Sequence, residues 1–144
     1  MKFLRFVFAA LLAGGHPFAA LAQSDDQTTG SLSVELNTTQ DTGTACRLTF
    51  VINNMTGTAI DEAVFETVIF NGDGSVVSLS LFDFRDLPAD RPRVRQFDLP
   101  GMTCAAVGQA LINGSSSCVV EGAESDLCHN ALVLSSRVNV ELLG

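Results

Sequence analysis

The chain has 144 residues, is 47% hydrophobic, carries a formal net charge of −8 and contains neither Trp nor Tyr. That length bounds one domain with ample apolar content for a packed core. The acidic balance sets aside nucleic acid and anionic lipid as partners, and the missing Trp and Tyr argue against a carbohydrate platform or a large aromatic protein interface.

Residues 1–22 read as a secretory signal peptide. Lys2 and Arg5 form a basic start, Phe6 to Leu12 an apolar core, and Ala20-Leu21-Ala22 a small-residue cleavage site that leaves Gln23 as the new N-terminus. The apolar core is too short for a permanent membrane span. No Cys follows the cleavage site and no twin Arg precedes the core, so lipid anchoring and the Tat route are set aside. No second long apolar run follows, so the sequence predicts a periplasmic or secreted protein with no membrane insertion after cleavage. Cleavage removes two positive charges, Lys2 and Arg5, taking the formal charge from −8 to −10 and leaving no lysine.

Residues 23–30, QSDDQTTG, are predicted to be a mobile leader before one domain at 31–144. Leu32, Val34 and Leu36 alternate with polar residues, as on an edge-like strand. Cys46, Leu48, Phe50 and Ile52 alternate with Arg47, Thr49, Val51 and Asn53 on a second strand that ends in the turn 53–57. Ala63 to Phe70 is apolar on both faces apart from Glu66 and Thr67, which predicts a strand covered on both sides. Asn71-Gly72-Asp73-Gly74 then supplies tight-turn chemistry, so Ala63 to Phe84 forms a β-hairpin. On its second arm, Val77, Leu79 and Leu81 are expected inward and Ser78 and Ser80 outward.

A fifth strand, Arg91 to Leu99, changes parity between Val94 and Phe97, which predicts a bulge near Arg95 and Gln96. A sixth runs from Cys104 to Asn113, an irregular insert follows to Asn130, and a last strand spans Leu132 to Leu142 with its even-numbered residues on one face. Seven short strands with turns at this spacing give an all-β fold, an immunoglobulin-like antiparallel β-sandwich, with a small closed barrel as the competitor.

The stretch VFETVIF at 64–70 followed by GDGSVV at 72–77 resembles the central hairpin of bacterial FxLYD-type and related immunoglobulin-like secreted domains. CRLTFVINNMTG at 46–57 is similar to the strand and turn before that hairpin. Phe70-Asn71 stands where the family name has Tyr-Asp. The resemblance implies an envelope or secreted module without known catalysis, and it brings no functional residues with it.

Few residues carry the makings of a reaction. Asn71, Asp73 and Ser75 have calcium-loop spacing, but a calcium-binding loop needs its glycine sixth and a glutamate twelfth, where Val76 and Phe82 stand. His129 follows Cys128, and adjacent residues on an extended chain point apart, so a Cys-His dyad is not expected. Ser115-Ser116-Ser117 lacks the glycine of a nucleophile elbow. Paired carboxylates such as Asp61 with Glu62, or Asp83 with Asp86, read as solvated surface. No catalytic residue, metal or cofactor is therefore predicted.

The candidate binding residues are Arg91, Arg93 and Arg95, which alternate and would share one face of an extended strand. They either pair with nearby aspartates and protect an edge strand, or form a strip that docks an acidic protein or a carboxylate ligand. In the sandwich, Cys46 and Cys104 begin strands at the same end, and Cys118 and Cys128 share the insert, so the predicted disulfides are Cys46–Cys104 and Cys118–Cys128. The reading is a non-catalytic module for protein binding or envelope structure. The alternatives are a small hydrolase using surface-cleft carboxylates and an assembly factor working through a sheet edge.

Overall fold

The computed structural model describes residues 30–144. The expected signal peptide, and all of the leader but Gly30, lie outside the described residues. The chain forms β1 (Leu32–Asp41), β2 (Ala45–Asn54), β3 (Ile60–Phe70), β4 (Val76–Leu87), β5 (Arg93–Pro100), β6 (Gln109–Val120), β7 (Ala123–Glu124), β8 (Leu132–Ser136) and β9 (Glu141–Leu143), with a 3-10 turn at Cys104–Ala106 and a one-turn helix, α1, at Leu127–Asn130.

These strands make an all-β sandwich of two sheets. One has the order β5-β2-β1-β8, the other β4-β3-β6-β7 with β9 also paired to β6. With β5-β2-β1 on one side and β4-β3-β6 on the other, the order of the first six strands is that of an immunoglobulin-type sandwich. Neither sheet closes on itself, which removes the barrel alternative.

The strand count differs from the expected seven for two reasons. The segment 113–130 is less irregular than its serines implied: β6 runs through Ser115–Ser117 to Val120, crossing two register shifts against β3, and turns back as β7. The last strand is divided. Its even-numbered residues do point inward, but β8 pairs with β1 and β9 pairs with β6, so the chain changes sheets between them. Ser136 fixes that crossing, its hydroxyl donating to Val140 O at 2.6 Å and accepting from Val138 N at 3.3 Å.

Alternation puts Cys46, Leu48, Phe50 and Ile52 of β2 in the interior, all buried. Five phenylalanines meet on the β4–β5 side of the core. The Phe50 ring lies 5.5–6.1 Å from Phe82, Phe84 and Phe97, edge-on to all three, Phe65 meets Phe84 edge-on at 5.5 Å, and Phe82 stacks on Phe97 at 4.2 Å. Such pairs each add to the stabilisation from area burial alone. The β3–β4 turn is held by Asn71, whose Oδ1 accepts from Asp73 N at 3.0 Å and Ser75 N at 2.9 Å, while Gly74 takes the positive φ of 80° that the turn requires.

Candidate interaction surface

The second arm of the hairpin faces the opposite way from the sequence expectation. Phe82 and Phe84 occupy the core, and by alternation Ser78 and Ser80 share their face. Val77, Leu79 and Leu81 point out. Both parities of this strand are apolar, and the aromatic pair wins the interior because each ring removes far more surface from water than a serine leaves behind. The result is an exposed run: Val76 is 60% exposed, Leu79 59% and Leu81 58%.

The outer face of β3 continues the run. Phe65, Thr67 and Ile69 fill the interior, while Val64, Glu66, Val68 and Phe70 face away from the other sheet. No sheet packs on that outer side, yet Val68 is buried there and Val64, Glu66 and Phe70 are half-buried among their neighbours. Register then assembles a row from residues far apart in sequence: Leu79 of β4 pairs with Val68, Val68 with Leu111 of β6, and Leu111 with Leu143 of β9. Polar pairs border the row on both sides. Gln109 Nε2 donates to Glu141 Oε2 at 3.1 Å on one side, and Asn113 donates to Glu66 on the other. An apolar strip with a polar rim is the usual anatomy of a protein contact site.

The arginines are placed differently from the predicted strip. Arg91 lies before β5 and is exposed; Arg93 and Arg95 share a face, but it is the inward face that continues to Phe97 and Leu99. β5 pairs with β2 in unbroken register from Arg93 to Pro100, so the expected bulge near Arg95 is not present. Val94, Gln96 and Asp98, not the arginines, are what this strand exposes outward. Arg95 spans from one sheet to the other: Nε donates to Phe84 O at 2.7 Å, and Nη2 to Asp86 O at 3.1 Å and Asp86 Oδ1 at 3.4 Å. Arg93 Nη2 reaches Asp86 Oδ2 at 3.4 Å. The inward face of an edge strand lies beside the rim of the sandwich, where a long side chain can bury its stem and still bond backbone across the gap. Replacing Arg95 with Ala should therefore cost about 1–3 kcal/mol, while Arg91→Ala stays within about 0.5 kcal/mol. Urea denaturation of the two variants checks this; equal effects would dissolve the distinction.

The structure joins Cys46 to Cys104 and Cys118 to Cys128, and none of the four sulfurs is a free thiol. Cys104 sits in the 3-10 turn before β6, not on the strand, and Asp41 Oδ1 accepts its N–H at 2.7 Å. Two disulfides mark a domain that folds outside the reducing cytoplasm. No helix among the described residues is long and apolar enough to cross a membrane.

The carboxylates considered for chemistry are engaged in holding strands. Glu62 accepts from Ser117 Oγ at 2.5 Å, Asp61 from Gly122 N at 3.2 Å, and Asp83 from Arg85 N at 2.8 Å. The resolved pKa displacements have the same character. The Asn37 amide and then the Arg137 guanidinium hold the Glu35 carboxyl below the usual range. The two-pronged pair of Arg47 with Asp98, at 2.7 and 2.9 Å, lowers the aspartate and raises the arginine. A cleft of about 520 Å³ between β8, β6 and β9 is lined by Ile112, Leu132, Leu134 and Leu142, and His129 is the sole ionisable side chain on it.

No family model matches the sequence, and no curated protein matches it. Among solved structures, a DUF1425 family member from Shewanella sp. pv-4 aligns with 15% identity over 61% of this chain and 74% of that one, at a TM-score of 0.39.

Proposed function

We propose that this chain is a non-catalytic protein-interaction module of the periplasm or cell exterior, and that its working surface is the outer face of the β4–β3–β6–β9 sheet. The observation that carries the reading is the apolar row Leu79–Val68–Leu111–Leu143 with its polar rim. A solvated sheet face ordinarily alternates to polar residues; this one carries an exposed Leu79, half-buried Leu111 and Leu143 and, between their strands, a buried Val68, at positions where water would favour Ser or Thr. The strongly acidic chain favours a protein partner over nucleic acid. Arg91, Arg93 and Arg95 contribute less in this reading, since Arg95 is already bonded to two backbone carbonyls.

The test is affinity capture from periplasmic extract with three baits: wild type, Leu79→Asp/Leu81→Asp, and an Arg91/Arg93/Arg95 triple-alanine variant. The aspartate bait should lose the captured protein, at least tenfold by quantitative mass spectrometry, while remaining folded by circular dichroism. Loss with the arginine variant alone, if that variant is folded, would transfer the site to an acidic or carboxylate-bearing ligand at the arginines. Equal capture by all three would end the sheet-face reading.

A further inference from the structure

The edge of β4 says more than its face. β4 is the outermost strand of its sheet, so one side of its backbone has no strand partner. Natural edges are blunted by charges, prolines or covering chain. At its far end β4 has such cover, because Arg95 takes the carbonyls of Phe84 and Asp86. At its near end the strand is bounded by the Asn71–Gly74 turn. Between them, Val76 to Phe82, VVSLSLF, carries no charge and no proline. Such a segment on an open edge is a template for strand pairing.

We propose that the occupant of this edge is a second copy of the same chain, paired antiparallel through β4 about a two-fold axis at Leu79. This rests on the sheet-face reading above and names the partner it leaves open. The open segment Val76 to Phe82 is centred on Leu79, so two copies run antiparallel in full register with neither end overlapping the Arg95 clasp or the turn. Leu79 then lies opposite the partner's Leu79, and Val77 opposite the partner's Leu81. These outward side chains come within the 4.5–5.5 Å Cβ spacing of cross-strand pairs, roughly. Ser78 falls opposite the partner's Ser80.

The charges agree with the same axis. Among the described residues Arg85 makes no ion pair and Asp73 makes none. The two-fold sets the Asn71–Gly74 turn of each copy, which carries Asp73, beyond the paired segment on the side where the partner's strand carries Arg85. An isologous contact of this kind closes on itself and ends the growth that an open edge otherwise invites. Val76, Val77, Leu79 and Leu81 together expose on the order of 400 Å² of apolar surface, about the largest patch a monomer ordinarily shows and about half of what a standard interface buries per partner. The paired backbone and the opposite charges at the two ends supply the rest.

Sedimentation equilibrium across a concentration series tests this on the full secreted chain. Wild type should follow a monomer–dimer equilibrium. Leu79→Asp, which sets two like charges face to face on the axis, should weaken dimerisation at least a hundredfold without altering the urea midpoint appreciably, since Leu79 faces solvent in the monomer. Leu79→Cys should oxidise to a covalent dimer, whereas Leu81→Cys alone, whose opposite position is Val77, should not. A wild type that stays monomeric throughout, or a Leu81→Cys that links as readily as Leu79→Cys, overturns the proposed pairing. If the protein is monomeric yet the aspartate bait above still loses its captured partner, the second copy is wrong and the sheet-face reading stands; if neither responds, both fail.

Discussion

Replacing Cys46 and Cys104 together with serine should remove about 4 kcal/mol of folding free energy, because that bridge closes a loop of 58 residues in the unfolded chain. Replacing Cys118 and Cys128 should remove about 2.5–3 kcal/mol, since the loop is only 10 residues. A small domain has about 5–15 kcal/mol in all, so the first loss threatens the fold. The two also differ in place. Cys46 is buried on β2, and its bridge pins the β5–β6 connection to the first sheet; Cys118 and Cys128 tie α1 to β6. Losing the first should lower the midpoint of the whole transition, and losing the second should mainly raise hydrogen exchange across Cys118–Asn130. Guanidinium titrations of the two double variants, with exchange mapped by residue, provide the check. A Cys118–Cys128 deletion as costly as the Cys46–Cys104 one would show that α1 belongs to the cooperative core.

Phe50→Ala should cost about 3–5 kcal/mol. Its ring is fully buried at the meeting point of both sheets, against Phe82 and Phe84 of β4 and Phe97 of β5, and those neighbours are anchored on strands of different sheets that cannot all move in to fill the space. Leu79→Ala, by contrast, should fall within about 0.5 kcal/mol, as a surface change does. The comparison is a direct assay of which side of β4 is inside. If the two variants lost comparable stability in urea titrations, Leu79 would be packed in the core and the exposed row would not exist.

How much of this was legible before the structure depends on the strand. Where one parity was apolar and the other polar, as at Cys46–Asn53, alternation assigned both faces correctly, because only one orientation buries the apolar set. The turn at Asn71–Gly74 was legible from the backbone angles its residues tolerate. β4 was not, because Leu79 and Phe82 compete with opposite parity and only the packing of Phe82 on Phe97 decides between them. The same holds for β5. Placing Val94 inward required a bulge; with Arg93 and Arg95 inward instead, the strand runs straight, and what makes that tolerable is the pair of carbonyls Arg95 finds on β4. The row on the outer face was invisible for a different reason: Leu79, Val68, Leu111 and Leu143 come from four strands, and register, not local sequence, brings them side by side. A count of apolar residues exceeding what one face of each hairpin strand can bury was the available signal.

The pairing of β8 with β1 bears on the order in which the molecule assembles. Leu32 lies beside Leu132 and Leu36 beside Ser136, in parallel. Hairpins such as β3–β4 can close as soon as their turn is made, but β1 keeps one flank open until β8 arrives from far along the chain, and contacts between such distant residues form slowly. A chain halted after β6 has β1 joined on one side only and lacks the two strands that complete both sheets. The hairpins can therefore form early, while both sheets are completed only when the C-terminal strands β8 and β9 have been made.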